Sequence, residues 1–321
     1  MRMNRKKSEA GDRTSELKDI LAHLQDSSQV LSNRLLAGLS DLSSEEVKAV
    51  DAVWNNLDTP RKRALISRLK ELAEDNVEYY FGALLKHAMT DADDAVRREA
   101  IEGLWEDEEP SLIRPLLNTL EHDPADNVRE AAAMALGRFA TLAECHKIEG
   151  DYIPRLSRAL LQVVNNASEP LSVRRRALEA VAPLSLADVT QAIWAAYRRE
   201  EPEMKASAIR AMGLNCDLLW LPTVMQELGN DNPELRYEAA GAAGLLGEVE
   251  ASVPLIELLE DPDPDVRLAA VQALGKVGGA EAKRVLRHIL RHKDQSMRDA
   301  AATALGEVEL FEEPFSAQGP E

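Results

Sequence analysis

The stretch DPDPDVRLAAVQALGKVGGAEAKRVLRHIL, residues 261–290, holds the pattern that decides the fold. Asp263 is a natural N-cap and Pro264 suits the first helical position, so a helix is predicted to begin here. When Arg267 is numbered zero, the apolar and small residues at −1, +3, +6 and +7 lie on one side of that helix. The glycines from position +8 onward are predicted to end it, and a second amphipathic helix follows them.

The same pattern occurs seven times along the chain, and from 174 to 298 its copies follow at intervals of 31 residues. Position +3 is alanine in every copy, and position +6 is alanine or Gly103. Small residues in register let helices pack closely, and such a period is typical of stacked repeats. The sequence therefore predicts an all-α fold, an α-α superhelix or solenoid of about eight helix pairs. The basic zero positions are Arg97, Arg129, Arg174, Lys205, Arg236, Arg267 and Arg298.

Four segments are predicted along the chain. Residues 1–13 are expected to be a disordered basic arm, and residues 14–57 an N-terminal helical cap. Residues 58–306 are predicted to form the solenoid, with an insertion near 139–170 because one interval between copies lengthens to 45 residues. Residues 307–321 contain five acids and no basic residue, which predicts an acidic flexible tail.

The charge balance bears on which partners are possible. The chain has 38 Lys and Arg against 56 Asp and Glu, and its net charge of −18 would repel a phosphate backbone. We therefore expect no nucleic-acid partner. No apolar run reaches the length of a membrane span, and Cys145 and Cys216 form no CxxC pair, so no membrane partner and no zinc knuckle are expected. The prediction is a cytoplasmic protein without a cofactor.

The phrase D-x-D-x-x-V-R-x-x-A-x-x-A-L-G, followed by an apolar helix, resembles the HEAT repeat, and the short period resembles the subtype named after phycobilisome lyases. In that family, the helices that carry the V-R pair line the concave side, and a ladder of acids and arginines joins neighbouring units. The resemblance implies that the acids at −4, among them Asp263 and Asp294, face the basic zero positions as a structural ladder. At Ala125 and Asn232 that ladder departs from the pattern.

Two branches of this family are enzymatic and suggest alternative functions. Deoxyhypusine hydroxylases resemble this repeat but bind di-iron through recurring His-Glu pairs, and this chain contains no His-Glu dipeptide. Bilin lyase subunits share the scaffold without a short transferable motif, so a lyase-related enzyme or assembly factor stays open as the alternative function. Binding of DNA, as in basic HEAT glycosylases, is disfavoured by the charge.

Several isolated motifs are interpreted as structural. The acid clusters at 91–94 and 261–265 lack the glycine and distal glutamate of a calcium loop, so N-capping is favoured. His288 and His292 lie one turn apart without a third metal ligand, and Cys145 lacks partners that would make it a nucleophile. The four tryptophans are expected to fill the core between repeats. Plain disorder is the favoured interpretation of the tail, with docking of Phe311 and Phe315 on a groove as the alternative.

Positions +1 and +5 carry the functional prediction, because packing does not dictate them. In the late copies they hold apolar or uncharged residues beside Arg210, where the early copies are charged. Exposed apolar groups rimmed by charge suit the groove of a peptide or helix. We therefore predict a non-catalytic scaffold or adaptor that binds another protein along its concave face. The predicted contact residues are Ala206, Arg210, Tyr237, Gly241, Leu268 and Gln272.

Overall fold

The computed structural model describes residues 2–26 and 28–312, and all regular structure within these ranges is helical. The all-α prediction is confirmed. Eighteen α-helices follow one another in these ranges, and the chain forms two compact units, residues 1–135 and 136–321. The helices that begin in the first unit are α1 Arg2–Gln25, α2 Asn33–Ala37, α3 Ser44–Trp54, α4 Thr59–Asp75, α5 Gly82–Ala88, α6 Asp94–Gly103, α7 Ile113–His122 and α8 Asp126–Glu144. Those of the second unit are α9 Ile153–Asn165, α10 Leu171–Val181, α11 Ala187–Tyr197, α12 Pro202–Asn215, α13 Leu221–Glu227, α14 Pro233–Leu246, α15 Ser252–Glu257, α16 Pro264–Val277, α17 Gly279–Ile289 and α18 Gln295–Glu312.

Each repeat contributes a first helix, which carries the zero position, and a second helix beside it. In the second unit the first helices α10, α12, α14, α16 and α18 pack one on the next, and α11, α13, α15 and α17 pack beside them. In the first unit α4 packs on α6, with α5 beside α6. Every alanine at +3 is fully buried, because this position faces the neighbouring helices.

The glycine at +8 has a different role from the predicted one. Gly275 lies inside α16, which continues to Val277 and ends at Gly278. A methyl group added at Gly213 would lie 2.6 Å from the Cα of Ala242, the +6 alanine of the next first helix. Gly244 and Gly275 meet the +6 alanines of their neighbours in the same way. These glycines therefore permit close helix packing rather than helix termination.

The N-terminal segment differs from the prediction. Helix α1 begins at Arg2, so residues 2–13 are helical instead of a disordered arm. Lysine, arginine, glutamate and alanine in this stretch all favour helix, and they extend the amphipathic pattern of the residues that follow. A capping box begins α3, with the side chains of Ser43 and Glu46 each accepting a hydrogen bond from the other residue's backbone N–H.

The lengthened interval and the tail also take defined forms. Helix α8 has 19 residues, against 14 for α12, α14 and α16, and a loop connects it to α9. Residues 307–312 of the predicted flexible tail continue α18 as helix. Phe315 lies outside the described residues, and of Phe311 only the helical backbone is described.

Candidate functional site

The basic zero positions form a ladder inside each unit. In the second unit Arg236 donates from Nε and Nη2 to the two oxygens of Asp261, at 2.7 and 2.9 Å. Its Nη1 donates to the backbone carbonyls of Asn230 and Asp231 in its own repeat. The arginine thus joins the loop before its own helix to the loop before the next, in a charge-assisted bidentate pair.

The first unit repeats this geometry. Arg97 donates from Nε and Nη2 to the carboxylate of Asp123, both at 2.7 Å, and from Nη1 to backbone carbonyls of its own loop. Lys62 lies 2.7 Å from Asp91, which marks Lys62 as the zero position of the degenerate first repeat. Helix α4 is therefore a true first helix, and its N-cap Asp58 stands at −4.

The acids predicted for the ladder, at position −4, are not the acids that pair with the zero positions. The acids that accept the zero position lie at −6 of the following repeat, as Asp123 and Asp261 do. Asp263 at −4 instead caps its own helix, accepting from the N–H groups of Asp265 and Val266. A carboxylate at −4 is turned toward the helix N-terminus by these bonds, whereas one at −6 faces the preceding repeat.

The ladder is incomplete in the late repeats. The residue at −6 after Arg267 is His292, and within the part of the chain that the structure describes Arg267 donates to the carbonyls of Asp261 and Pro262. Lys205 uses Glu227, 3.0 Å away, as its acid. Asp294, the other predicted ladder acid, accepts from the N–H of Ser296 in its own helix. The zero positions therefore hold loops and helices in register, through acids in some repeats and through backbone carbonyls in others.

The predicted contact residues lie on the first helices of the second unit. We call the surface formed by positions +1, +2 and +5 of α10, α12, α14 and α16 the first-helix face. Tyr237 is 42% exposed, Gly241 and Gln272 are exposed, and Leu268 is half-buried. The structure thus brings the late part of the predicted set to one surface.

Ala206 is the exception, because its side chain is buried and only 1% exposed. Arg175 from α10 donates from Nε to Ser207 of α12 at 2.9 Å, and its Nη2 lies 3.9 Å from Glu234 of α14. Because Arg175 reaches from α10 to α14, its side chain passes over α12. The methyl group of Ala206 on α12 is too short to extend beyond this arginine. Ala206 is therefore part of the packing and is removed from the predicted site.

A cavity of about 620 Å³ opens at α14 and α16, and we call it the Tyr237 groove. Three predicted contact residues line it, namely Tyr237, Leu268 and Gln272. Pro233 and Ala269 extend its apolar lining. Its polar lining consists of acids, namely Glu234, Asp263 and Asp265. The sequence analysis did not assign Glu234 and Asp265 to the site, because acids at the first turn of a helix also serve the helix dipole.

Arg210 lies beside this groove in a network of acids. Its guanidinium stands 3.7 Å from Glu179 and 3.8 Å from Glu238, and Arg176 donates to Glu179 at 2.8 Å. Burial raises the pKa of Glu238, and the neighbouring acids Glu179 and Glu234 act in the same direction. Arg210 is thus half-exposed but already compensated by carboxylates of its own chain. This favours a structural role for Arg210.

The other residues singled out in the sequence are acids, histidines, cysteines and tryptophans. Among the residues that the structure describes, no cluster of His, Cys, Asp and Glu could hold a metal ion. Cys145 and Cys216 are free, and burial raises the pKa of Cys216, with Cys145 adding to the effect. A thiol with a raised pKa is less reactive. Trp105 is 59% exposed, so the prediction that all four tryptophans fill the core was wrong for it.

Two buried polar networks were not foreseen from the sequence. Tyr197 donates to Glu227, which also accepts from Lys205 and Asn230. In the first unit, Tyr80 and Lys86 share Asp107. Both networks are built from residues about 20 to 30 positions apart, so local spacing gives no signal for them. They fix second helices against the neighbouring repeat.

Comparison with known proteins identifies the repeat. The family model for HEAT repeats matches residues 82–149 and 221–306. No curated protein is similar enough in sequence to count as a relative. No helix in the described part of the chain combines the length and the apolarity needed to cross a membrane.

Solved structures show the same architecture. The complex of CpcE and CpcF of phycocyanin lyase from Nostoc sp. is similar with a TM-score of 0.50 at 18% identity, over 88% of this chain and 97% of that one. The Kap95:Nup1 complex gives a TM-score of 0.50 at 12% identity, over 92% of this chain and 46% of that one. Human deoxyhypusine hydroxylase gives a TM-score of 0.32 at 20% identity, over 94% of this chain and 98% of that one. The first two likenesses show the fold alone, which is an α-solenoid, and the HEAT repeats are those of the residues that the family model matches.

Proposed function

We propose that this chain is a non-catalytic scaffold or adaptor that binds another protein along the first-helix face of its second unit. The Tyr237 groove is the observation that carries the proposal, because it combines an exposed aromatic ring, apolar neighbours and a polar rim. Protein interfaces are centred on such features, with aromatic residues as the anchors. HEAT repeats supply the scaffold, and repeat proteins bind partners along extended surfaces of this kind.

The exposed residues of this face, Tyr237, Gly241 and Gln272, are not required for the packing of the repeats. The zero positions and the alanines at +3 and +6 hold the helices together, and they lie elsewhere on the same helices. Tyr237 occupies a position where other repeats carry charged residues such as Arg98 and Asp299. A large apolar ring that packing does not require is best explained by a partner.

Affinity capture from the native host tests the proposal. The bait would be the wild type, the groove variant Tyr237→Ala plus Leu268→Ala, or the control variant Val249→Ala plus Val253→Ala. The control pair is 62% and 56% exposed and lies outside the groove, so it matches the chemistry of the change. Circular dichroism would first establish that all three proteins are folded.

We expect the groove variant to capture about tenfold less partner than the wild type, because truncation of interface anchors usually costs this much affinity. The control variant should retain the partner at the wild-type level. Equal capture by all three proteins would contradict the proposal and place any interface elsewhere.

A lyase-related function, as an enzyme or as an assembly factor in the cytoplasm, is the alternative. The lyase-type subtype of the repeat and the likeness to the CpcE and CpcF complex support it only at the level of fold. Visible absorbance that copurifies with the chain from its host would favour this alternative. A partner protein that binds through Tyr237 would favour the scaffold.

A further inference from the structure

The first unit contains a filled counterpart of the Tyr237 groove. Arg63 stands at +1 of the first repeat, next to the zero position Lys62. Its guanidinium donates from Nε and Nη2 to the two oxygens of Asp93, at 2.9 and 2.6 Å. Asp93 is the acid at −4 of the next repeat and the N-cap of α6. The chain therefore shows which group fits between a +1 position and the −4 acid that follows it.

In the late repeats the same place holds no arginine. The +1 residue is Tyr237, and the −4 acid that follows is Asp263. Among the described residues Asp263 accepts only from backbone N–H groups of its own helix. The space that an arginine of the chain occupies in the first repeat is here an open cavity. Among the described residues no cationic side chain forms an ion pair with Asp263, because Arg236, whose pKa Asp263 helps to raise, is paired with Asp261.

Two further acids strengthen this preference for a cation. Asp265 lines the groove without a side-chain partner among the described residues, and Glu234 shares only a 3.9 Å contact with Arg175. No basic residue lines the groove. Opposite charges attract most strongly where part of the solvent is excluded, and the chain as a whole is acidic.

The helix N-terminus does not oppose this assignment. A helix N-terminus carries a partial positive charge, which disfavours a cation. In the first unit, however, Arg63 binds the N-cap acid of α6 in spite of that charge. At α16 two carboxylates, Asp263 and Asp265, stand at the same helix end. The negative charge there exceeds the partial charge of the helix.

We propose that the Tyr237 groove binds an arginine side chain from a basic segment of the partner protein. The guanidinium lies between Asp263 and Asp265, where it repeats the pairing of Arg63 with Asp93, and its planar face packs on Tyr237. Arginine suits such a site because its fork pairs bidentately with carboxylates and stacks on aromatic rings. This inference rests on the proposed protein-binding function and names the chemistry of its partner.

A pair of peptides tests the inference directly. The probes are fluorescein-labelled Gly-Ser-Arg-Gly-Arg-Ser-Gly and the same peptide with citrulline at both arginine positions, which keeps the shape and removes the charge. Fluorescence anisotropy would be measured with the full chain at low salt. The groove variant is Asp263→Asn plus Asp265→Asn, in which asparagine keeps the helix cap. The control is Glu250→Gln plus Glu260→Gln, two exposed acids outside the groove with the same change in net charge.

We expect the arginine peptide to bind at least fivefold more tightly than the citrulline peptide. The groove variant should lose that difference, and the control should retain it within twofold. The variant Tyr237→Arg should also lose binding, because the chain would then fill its own groove as Arg63 does in the first repeat. Equal binding of the two peptides, no binding of either, or equal losses in groove variant and control would overturn the inference, the last by showing a general effect of net charge.

The capture experiment separates this inference from the function on which it rests. A partner that is lost with Tyr237→Ala plus Leu268→Ala but retained with Asp263→Asn plus Asp265→Asn would keep the scaffold function and overturn the arginine site. Loss of the partner with both variants supports both the scaffold function and the arginine site. Retention with both contradicts the scaffold function as well as the site.

Discussion

Gly213 and Gly241 lie inside neighbouring first helices, yet an added methyl group would meet different surroundings. At Gly213 it would lie 2.6 Å from the Cα of Ala242, a backbone atom that cannot move aside. At Gly241 it would meet nothing within 4 Å. The two positions therefore separate close packing from the intrinsic cost of glycine in a helix.

We predict opposite effects on stability for the same substitution. Gly213→Ala should destabilise the chain by about 1–3 kcal/mol through overpacking. Gly241→Ala should stabilise it by about 0.5–1 kcal/mol, because alanine favours the helix. Urea denaturation followed by circular dichroism checks both. A stabilising Gly213→Ala would show that the helices do not approach as closely as described.

Asp261 and Glu238 are predicted to respond to pH in opposite ways. Hydrogen bonding from Arg236 lowers the pKa of Asp261, whereas burial raises the pKa of Glu238. A lowered pKa in the folded state contributes stability above the usual aspartate range, and this contribution is lost as pH falls through the folded value. A raised pKa costs stability above the usual glutamate range, and the cost vanishes at lower pH.

Asp261→Asn should therefore lower the free energy of unfolding by about 1.5–3 kcal/mol at pH 7, with the difference from wild type shrinking toward pH 3. The measurement is a series of urea denaturations between these pH values. A difference that stays constant across the series would contradict a charge-assisted pair with Arg236.

Glu238→Gln should instead raise the midpoint of urea denaturation at pH 7 and have little effect near pH 4. The amide fills the same space without the cost of a buried charge. A lower midpoint at pH 7 would mean that the 3.8 Å contact with Arg210 outweighs burial.

Sequence reasoning at this scale succeeded where one helix decides the outcome. The N-cap role of Asp263 and the burial of the +3 alanines follow from the period of the helix and the chemistry of capping. It failed for Ala206, whose burial depends on Arg175, a residue one repeat away. It also failed for the ladder acid, because a −4 and a −6 carboxylate differ in direction only through the short loop between repeats.

At the scale of elements, the loop before α6 connects three helices. Asp91 lies in the loop before α6 and is 9% exposed. It accepts from Trp54 of α3 at 2.6 Å, from Lys62 of α4 at 2.7 Å and from the N–H of Asp93 at 2.8 Å. Lys62 is itself buried, so loss of this carboxylate leaves an uncompensated charge.

Asp91→Ala should lower the free energy of unfolding by about 3–5 kcal/mol and reduce the protection of α3, α4 and α6 together. Hydrogen exchange would show faster exchange in all three helices. Asp75→Ala, an exposed aspartate at the end of α4, serves as the control and should leave them unchanged. Protection equal to wild type in the Asp91 variant would contradict the role of this loop as a connector.

Element boundaries were predictable where capping residues mark them and not where packing sets them. The box at Ser43 and Glu46 gave the start of α3. The glycines at +8 suggested an end that the helices do not have, because glycine also serves close approach. A helix that continues through a glycine is stabilised by its neighbours, which the sequence of one repeat does not contain.

At the scale of the whole molecule, the repeats differ in what they present rather than in how they pack. The first repeat places Arg63 on the acid that follows it, Asp93, and the repeat of Tyr237 leaves the following acid, Asp263, at an open groove. The period predicted the fold, and the change at +1 predicted Tyr237 and Leu268 as contact residues. The acids of the groove were visible in the sequence only as helix caps.

Photo-crosslinking from position 237 tests the central claim, that a partner protein contacts the Tyr237 groove. Tyr237 would be replaced by p-benzoylphenylalanine, which is similar in shape, and Val249, exposed and outside the groove, would be replaced in a second protein. Both would be irradiated in the native host. The account predicts a discrete crosslinked partner from position 237 and none from position 249. Crosslinks from position 249 alone, or from neither position, would contradict it.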